Sequence, residues 1–156
     1  MRIVVDSDAL IKITKAGLKE LVVSNLEIFI PKKVYEETVE VPKEKGFSDA
    51  LEIDKNVNSG KVQIKESPRK EEGELEVLSL YRTGEFRAVV SDDRKFLRWL
   101  DRVEIPYLTP SSLIVHLFYK GALSRDDALA HIEKLRKYIS EEEYLTSIME
   151  VKKWEK

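Results

Sequence analysis

The chain has 156 residues, 27 Lys and Arg against 29 Asp and Glu, and a net charge of -2 although 36% of it is charged. Charges that nearly cancel exclude a protein that holds nucleic acid by bulk positive charge, and the absence of cysteine excludes a disulfide scaffold, a Cys-ligated zinc and a thiol nucleophile. The apolar runs fall far short of the ~20 residues a membrane-spanning helix needs, and the length suits one compact domain over residues 1–156 that buries roughly two-thirds of its unfolded surface.

Arg2-Ile3-Val4-Val5 reads as a buried strand, followed by a helix with Leu10, Ile11 and Ile13 that stops at Gly17. Glu27 to Ile30 is a second strand, and Pro31 suits the first turn of a helix carrying Val34, Tyr35, Thr38 and Val39. The segment from Val41 to about Gly46 is polar and interrupted by Pro42, and Ser48 can cap a helix with Leu51, Ile53 and Val57 that ends near Gly60. Lys61 to Lys65 alternates like a strand, residues 67–72 form a charged connection, and Gly73 to Arg82 is a helix closed by Gly84. Arg87 to Ser91 is the next buried strand, Asp93 to Leu100 its helix, Pro106 to Leu108 a last short strand, and Pro110 opens an apolar helix ending near Gly121. Two further helices follow, one capped by Ser124 with Asp127 three residues on, the other starting at Ser140. Strands alternating with helices predict an α/β fold with a mainly parallel sheet: a core over residues 1–120 and extra C-terminal helices over 121–156.

Ligands in open α/β sheets sit beyond the carboxyl ends of the strands, so acids placed just after strands are the first candidates. Asp6 and Asp8 follow the first strand, Glu36 and Glu37 lie in the helix after the second, Glu74 and Glu76 open the Gly73 helix, and Asp92 and Asp93 follow the Val89-Val90 strand. Each has an ordinary structural explanation as a helix cap or a first-turn acid. Their recurrence at equivalent points of successive strand-helix units is what predicts convergence. Clustered carboxylates raise one another's pKa unless a cation neutralises them, and an oxygen-only donor set points to Mg²⁺ or Mn²⁺.

Four segments carry a family resemblance: Ile3-Val4-Val5-Asp6-Ser7-Asp8-Ala9-Leu10-Ile11, Ile30-Pro31-Lys32-Lys33-Val34-Tyr35-Glu36-Glu37, Gly73-Glu74-Leu75-Glu76-Val77-Leu78-Ser79-Leu80 and Val89-Val90-Ser91-Asp92-Asp93-Arg94-Lys95-Phe96-Leu97. In this order they resemble the PIN domain, a family of metal-dependent ribonucleases, over residues 1 to about 120. The resemblance implies a three-layer α/β/α sandwich and an acidic quartet of Asp6, Glu37, Glu74 and Asp93 as catalytic metal ligands. Glu36 competes with Glu37 through a one-residue slip, Glu76 with Glu74, and Asp92 more weakly with Asp93. Ser7 and Ser91 match small hydroxyl positions that orient the carboxylates, and Asp8 stands where Asn is common in the family.

The implied chemistry is hydrolysis of RNA phosphodiesters with Mg²⁺ or Mn²⁺, on a substrate expected to be single-stranded. Lys12, Lys15 and Lys19, and Arg94 with Arg98, are spaced so that each set could guide the backbone from one helix face; most such sets in so charged a chain are solvated faces. His116 and His131 lack metal-like spacing, and Trp99, Tyr107, Phe118, Tyr119 and Tyr138 fit packing better than base stacking. Two roles stay open within the family: the toxin of a VapC-type toxin-antitoxin pair, with an antitoxin protein as partner, or a stand-alone RNA-processing nuclease. A homodimer is a further expectation by analogy, and an inactive PIN-like module binding protein or RNA is a third class. A haloacid-dehalogenase-like phosphatase, suggested by Asp6-Ser7-Asp8, ranks lower because it has no use for Glu37 or Glu74. Met1-Arg2 leads into the first strand without a signal-peptide region, so a cytoplasmic protein without membrane association is expected. A single glutamine, Gln63, and three asparagines beside abundant Lys and Glu suggest a thermophile.

Overall fold

The computed structural model describes residues 1–68 and 73–154; most of the predicted charged connection, residues 69–72, lies outside them. Five strands form one sheet: β1 (Arg2–Val5), β2 (Glu27–Pro31), β3 (Val62–Lys65), β4 (Ala88–Val90) and β5 (Tyr107–Leu108), in the order β3-β2-β1-β4-β5. All four pairings are parallel, and Val4 at the centre pairs with Phe29 on one side and Val89 on the other. Central strands covered on both faces must be apolar throughout, and Ile3, Val4, Ile30, Val89 and Val90 are fully buried.

From β1 the chain winds outward to β2 and β3, then crosses back to β4 and β5. The strand order therefore reverses beside β1, opening a crevice at the carboxyl ends of β1 and β4. Right-handed crossovers place α1 (Ser7–Lys15), α2 (Lys19–Asn25), α3 (Lys32–Tyr35), a π-helical segment (Glu36–Glu40), α4 (Val41–Glu44) and α5 (Ser48–Asn58) on one face. On the other face lie α6 (Gly73–Tyr81), which packs on β1, β2 and β4, and α7 (Arg94–Arg102), which packs on β5. This is the expected three-layer arrangement. The C-terminal helices α8 (Pro110–Tyr119), α9 (Arg125–Leu135) and α10 (Glu141–Lys153) pack on one another, and α8 also meets α1. Ser124 and Ser140 accept hydrogen bonds from the Asp127 and Glu143 amides, capping α9 and α10 as their spacing predicts.

Local details depart from the sequence reading. After α1 ends, Gly17 turns the chain with φ +73°, and a short helix, α2, follows; seven residues between a glycine and a strand are too few for a clear periodic signal. The polar stretch around Pro42, for which the sequence assigns no element, is helical: the preceding π turn, in which the Val41 amide donates to the Glu36 carbonyl, widens the helix just before a residue without an N–H. Ser48 lies inside α5 rather than capping it.

Candidate active site

Two of the aspartates at the crevice, Asp6 and Asp93, are helix N-caps. The Asp6 amide donates to the Val90 carbonyl at 3.0 Å, tying the end of β1 to β4, and its Oδ1 accepts from the Ala9 amide at 2.9 Å. Asp93 repeats the device beyond the neighbouring strand β4, its Oδ1 accepting from Phe96 N–H at 2.9 Å and its own amide donating to Ser91 Oγ at 3.2 Å. Ser91 is fully buried, and its hydroxyl also lies within hydrogen-bonding reach of the Asp6 carboxyl. Capping and site-forming roles therefore coincide: a carboxylate at a helix N-terminus has one oxygen on the backbone and the other to spare. The cap of α1 is Asp6 itself, with Ser7 and Asp8 in the first turn.

Glu37 reaches the crevice from the π-helical segment. Ser7 Oγ donates to Glu37 Oε2 at 2.6 Å, and Thr38 Oγ1 donates to the Val34 carbonyl at 2.7 Å within the widened turn. Glu36 lies 4.0 Å from Lys33 Nζ and is not among the residues that line the cleft, whereas Glu37 is.

Glu74 and Glu76 also separate. Glu74 lies at the crevice, with Asp93 within hydrogen-bonding reach. Glu76 is buried and accepts from the Lys33 backbone amide at 3.2 Å, which makes it a cap supplied to the first turn of α3 from across the sheet.

Asp6, Ser7, Asp8, Lys33, Glu37, Glu74 and Asp93 line one cleft of about 650 Å³, with Val34 and Leu75 as its apolar wall. Burial pushes the Asp6 carboxyl up to about 7 against the pull of Ser91 and the Ala9 amide, with Asp8 and Glu74 adding repulsion. Glu74 is raised as well, by desolvation and then by Asp93. Both shifts disfavour the ionised form, which a nearby cation would favour. Among the described residues no three His, Asp or Glu side chains converge tightly enough to enclose a metal ion as they stand. The donor set still fits a hard divalent cation: every candidate is a carboxylate oxygen, two are fixed by capping bonds, and Glu37 and Glu74 are exposed side chains that can turn inward.

The remaining candidates disperse. Asp92 lies outside this cleft: Lys12 Nζ bonds Asp92 Oδ2 and pairs with Asp8 at 3.0 Å, which engages Lys12 with protein carboxylates. Lys15 lines a separate hollow near Tyr138 and Glu141. Lys19 starts α2 rather than extending the α1 face, and it is buried with Nζ donating to the Glu52 carbonyl at 2.8 Å. Arg94 lines a groove with Asp92 and Tyr107, apart from the acids, and Arg98 is exposed on α7. Burial lowers the pKa of both His116 and His131.

Two residues were missed in the sequence. Lys33 is the cation among the cleft's lining residues; its place one turn before Glu37 was the available signal. Glu143 of α10 has no local signature, yet it accepts from Ser111 Oγ at 2.9 Å, adjoins Asp92 and is pushed up to about 7, first by burial and then by Asp92.

A family model described as PIN domain matches residues 2–153. No curated protein is significantly similar to the chain. Among the described residues, no helix is long and apolar enough to cross a membrane.

Proposed function

The chain belongs to the PIN-domain family, a nuclease-type fold, and we propose that it is a metal-dependent endoribonuclease whose acidic cleft hydrolyses RNA phosphodiesters. One observation carries the reading: Asp6, Glu37, Glu74 and Asp93, from four separated segments, line the same cleft at the point where the strand order reverses. Asp6, Glu37, Glu74 and Asp93 would hold Mg²⁺ or Mn²⁺. When bound, such an ion polarises the phosphate and makes water a stronger nucleophile.

The chain's own groups prepare the site. The α1 and α7 caps fix Asp6 and Asp93 relative to each other, and Ser7 aims one oxygen of Glu37. Lys33 brings a positive charge to an otherwise acidic cleft, where it can meet a phosphate oxygen. Its backbone is held to α6 by Glu76, so the cation and Glu74 ride on coupled elements. No side chain serves as a covalent nucleophile: water adds across the P–O bond, leaving a phosphate on one fragment and a hydroxyl on the other.

End-group analysis of single-stranded RNA cleaved with Mn²⁺ tests this route. Fragments free of 2′,3′-cyclic phosphate are expected; cyclic ends, which arise from attack by the RNA's own 2′-hydroxyl, would contradict it.

A further inference from the structure

A second groove along α6 adjoins the acidic cleft, with Leu75 lining both. Leu75 adjoins Glu74 in sequence and is 50% exposed despite being apolar. Leu78, Ser79 and Arg82 follow at i+3, i+4 and i+7 and line the same groove, so they form one helical stripe leading away from the acids. By the rise of an α-helix that stripe is roughly 10 Å long. Trp99 of α7 forms the opposite wall. Its indole is stacked on Phe96, with ring centroids 6.2 Å apart and planes inclined by 12°, so the wall is already ordered. An aromatic wall, an apolar floor and a guanidinium at the far end match one ligand chemistry in particular, a nucleotide, whose base stacks while its phosphate pairs with arginine.

We infer that this groove binds the base of a nucleotide flanking the scissile phosphate, with Trp99 as its stacking face and Arg82 meeting the adjacent phosphate. The inference rests on the nuclease reading above, and it makes Trp99, Leu75 and Arg82 substrate-binding residues. Continuity with the acidic cleft through Leu75 is what favours a strand of RNA over a peptide as the occupant.

The test compares cleavage, with Mn²⁺, of one single-stranded RNA and of the same strand carrying a single abasic ribose beside the cleaved bond. Wild type should show a KM about tenfold higher for the abasic strand, the size expected of one lost stacking contact, with little change in kcat. Trp99→Leu should raise KM for the intact strand to a similar degree and lose the discrimination between the two strands, whereas Trp99→Phe should keep it. Leu75→Ala, at an exposed side chain, provides a second variant whose folding is not in question and should weaken the same discrimination. Undiminished discrimination in Trp99→Leu and Leu75→Ala, with cleavage intact, overturns the groove assignment and leaves the nuclease reading standing. Absence of cleavage of either strand by wild type overturns the nuclease reading and the groove assignment with it.

Discussion

Ser7 Oγ donates a 2.6 Å hydrogen bond to Glu37 Oε2, joining the first turn of α1 to the π-helical segment. Groups that orient a metal ligand typically contribute 10–100-fold in affinity or activity, while an exposed hydrogen bond contributes little to stability. Ser7→Ala should therefore weaken Mn²⁺ binding about tenfold with a nearly unchanged melting temperature, and Ser7→Thr should restore most of the affinity. Calorimetric titration with Mn²⁺ checks both.

The two glutamates of α6 should part company on mutation. Glu74→Gln should weaken Mn²⁺ binding and leave stability almost unchanged, because the side chain is exposed. Glu76→Ala should leave the partly buried Lys33 amide at the start of α3 without its partner and destabilise the fold by about 1 kcal/mol. Glu76→Gln keeps an acceptor and should bind Mn²⁺ like wild type. Denaturation and metal titration of the three variants separate ligand from cap.

Asp6 and Glu143 are both raised to about 7 from ordinary values of 3.8 and 4.5. A carboxyl whose pKa is higher folded than unfolded binds more protons in the native state between those values, so metal-free stability falls as pH rises from about 4 to about 7. The metal-free protein should melt higher at pH 5 than at pH 8. Mn²⁺ should reverse the order by stabilising the ionised Asp6, and Asp6→Asn should flatten the metal-free profile. Differential scanning calorimetry across this range is the check.

Glu143 offers a contrast to the cleft acids. Its Oε1 accepts from the Ser111 hydroxyl and amide, at 2.9 and 3.3 Å, beside Asp92. Gln can accept the same bonds without the negative charge, so Glu143→Gln should gain on the order of 1 kcal/mol above pH 7 and retain cleavage. A loss of stability would show that the charge itself is needed, through Asp92 and Lys12.

The sheet was legible in the sequence because the parallel strands, apolar on both faces, stand out as short runs such as Ile3-Val4-Val5 and Ala88-Val89-Val90 between helical periods. Asp6 and Asp93 were legible because the residue after a strand and before a helix is fixed by topology. Glu37 rather than Glu36 came from the family resemblance and not from the helical period, which the π turn breaks at that residue. Glu74 rather than Glu76 likewise came from the resemblance, since the two are first-turn acids that differ only in what each meets in the fold. Lys12 and Lys19 share a sequence spacing with Lys15, but Gly17 breaks the helix between them and local carboxylates and carbonyls occupy their ammonium groups. Trp99, read as packing, does pack on Phe96, yet it also walls the groove beyond Leu75. Glu143 lies far along the chain from Asp92 and meets it only because α8–α10 fold back against the sheet edge.

The proposed cleavage of RNA in the acidic cleft depends on a divalent cation. Asp6→Asn addresses it most directly, because asparagine can still cap α1 while the buried carboxylate is lost. Purified wild type and Asp6→Asn are compared on single-stranded RNA with Mn²⁺, and wild type again with EDTA. Cleavage by wild type with Mn²⁺, abolished by chelation and reduced at least 100-fold in a folded Asp6→Asn, is the predicted result. Equal cleavage by the two proteins, or cleavage that survives EDTA, would contradict it.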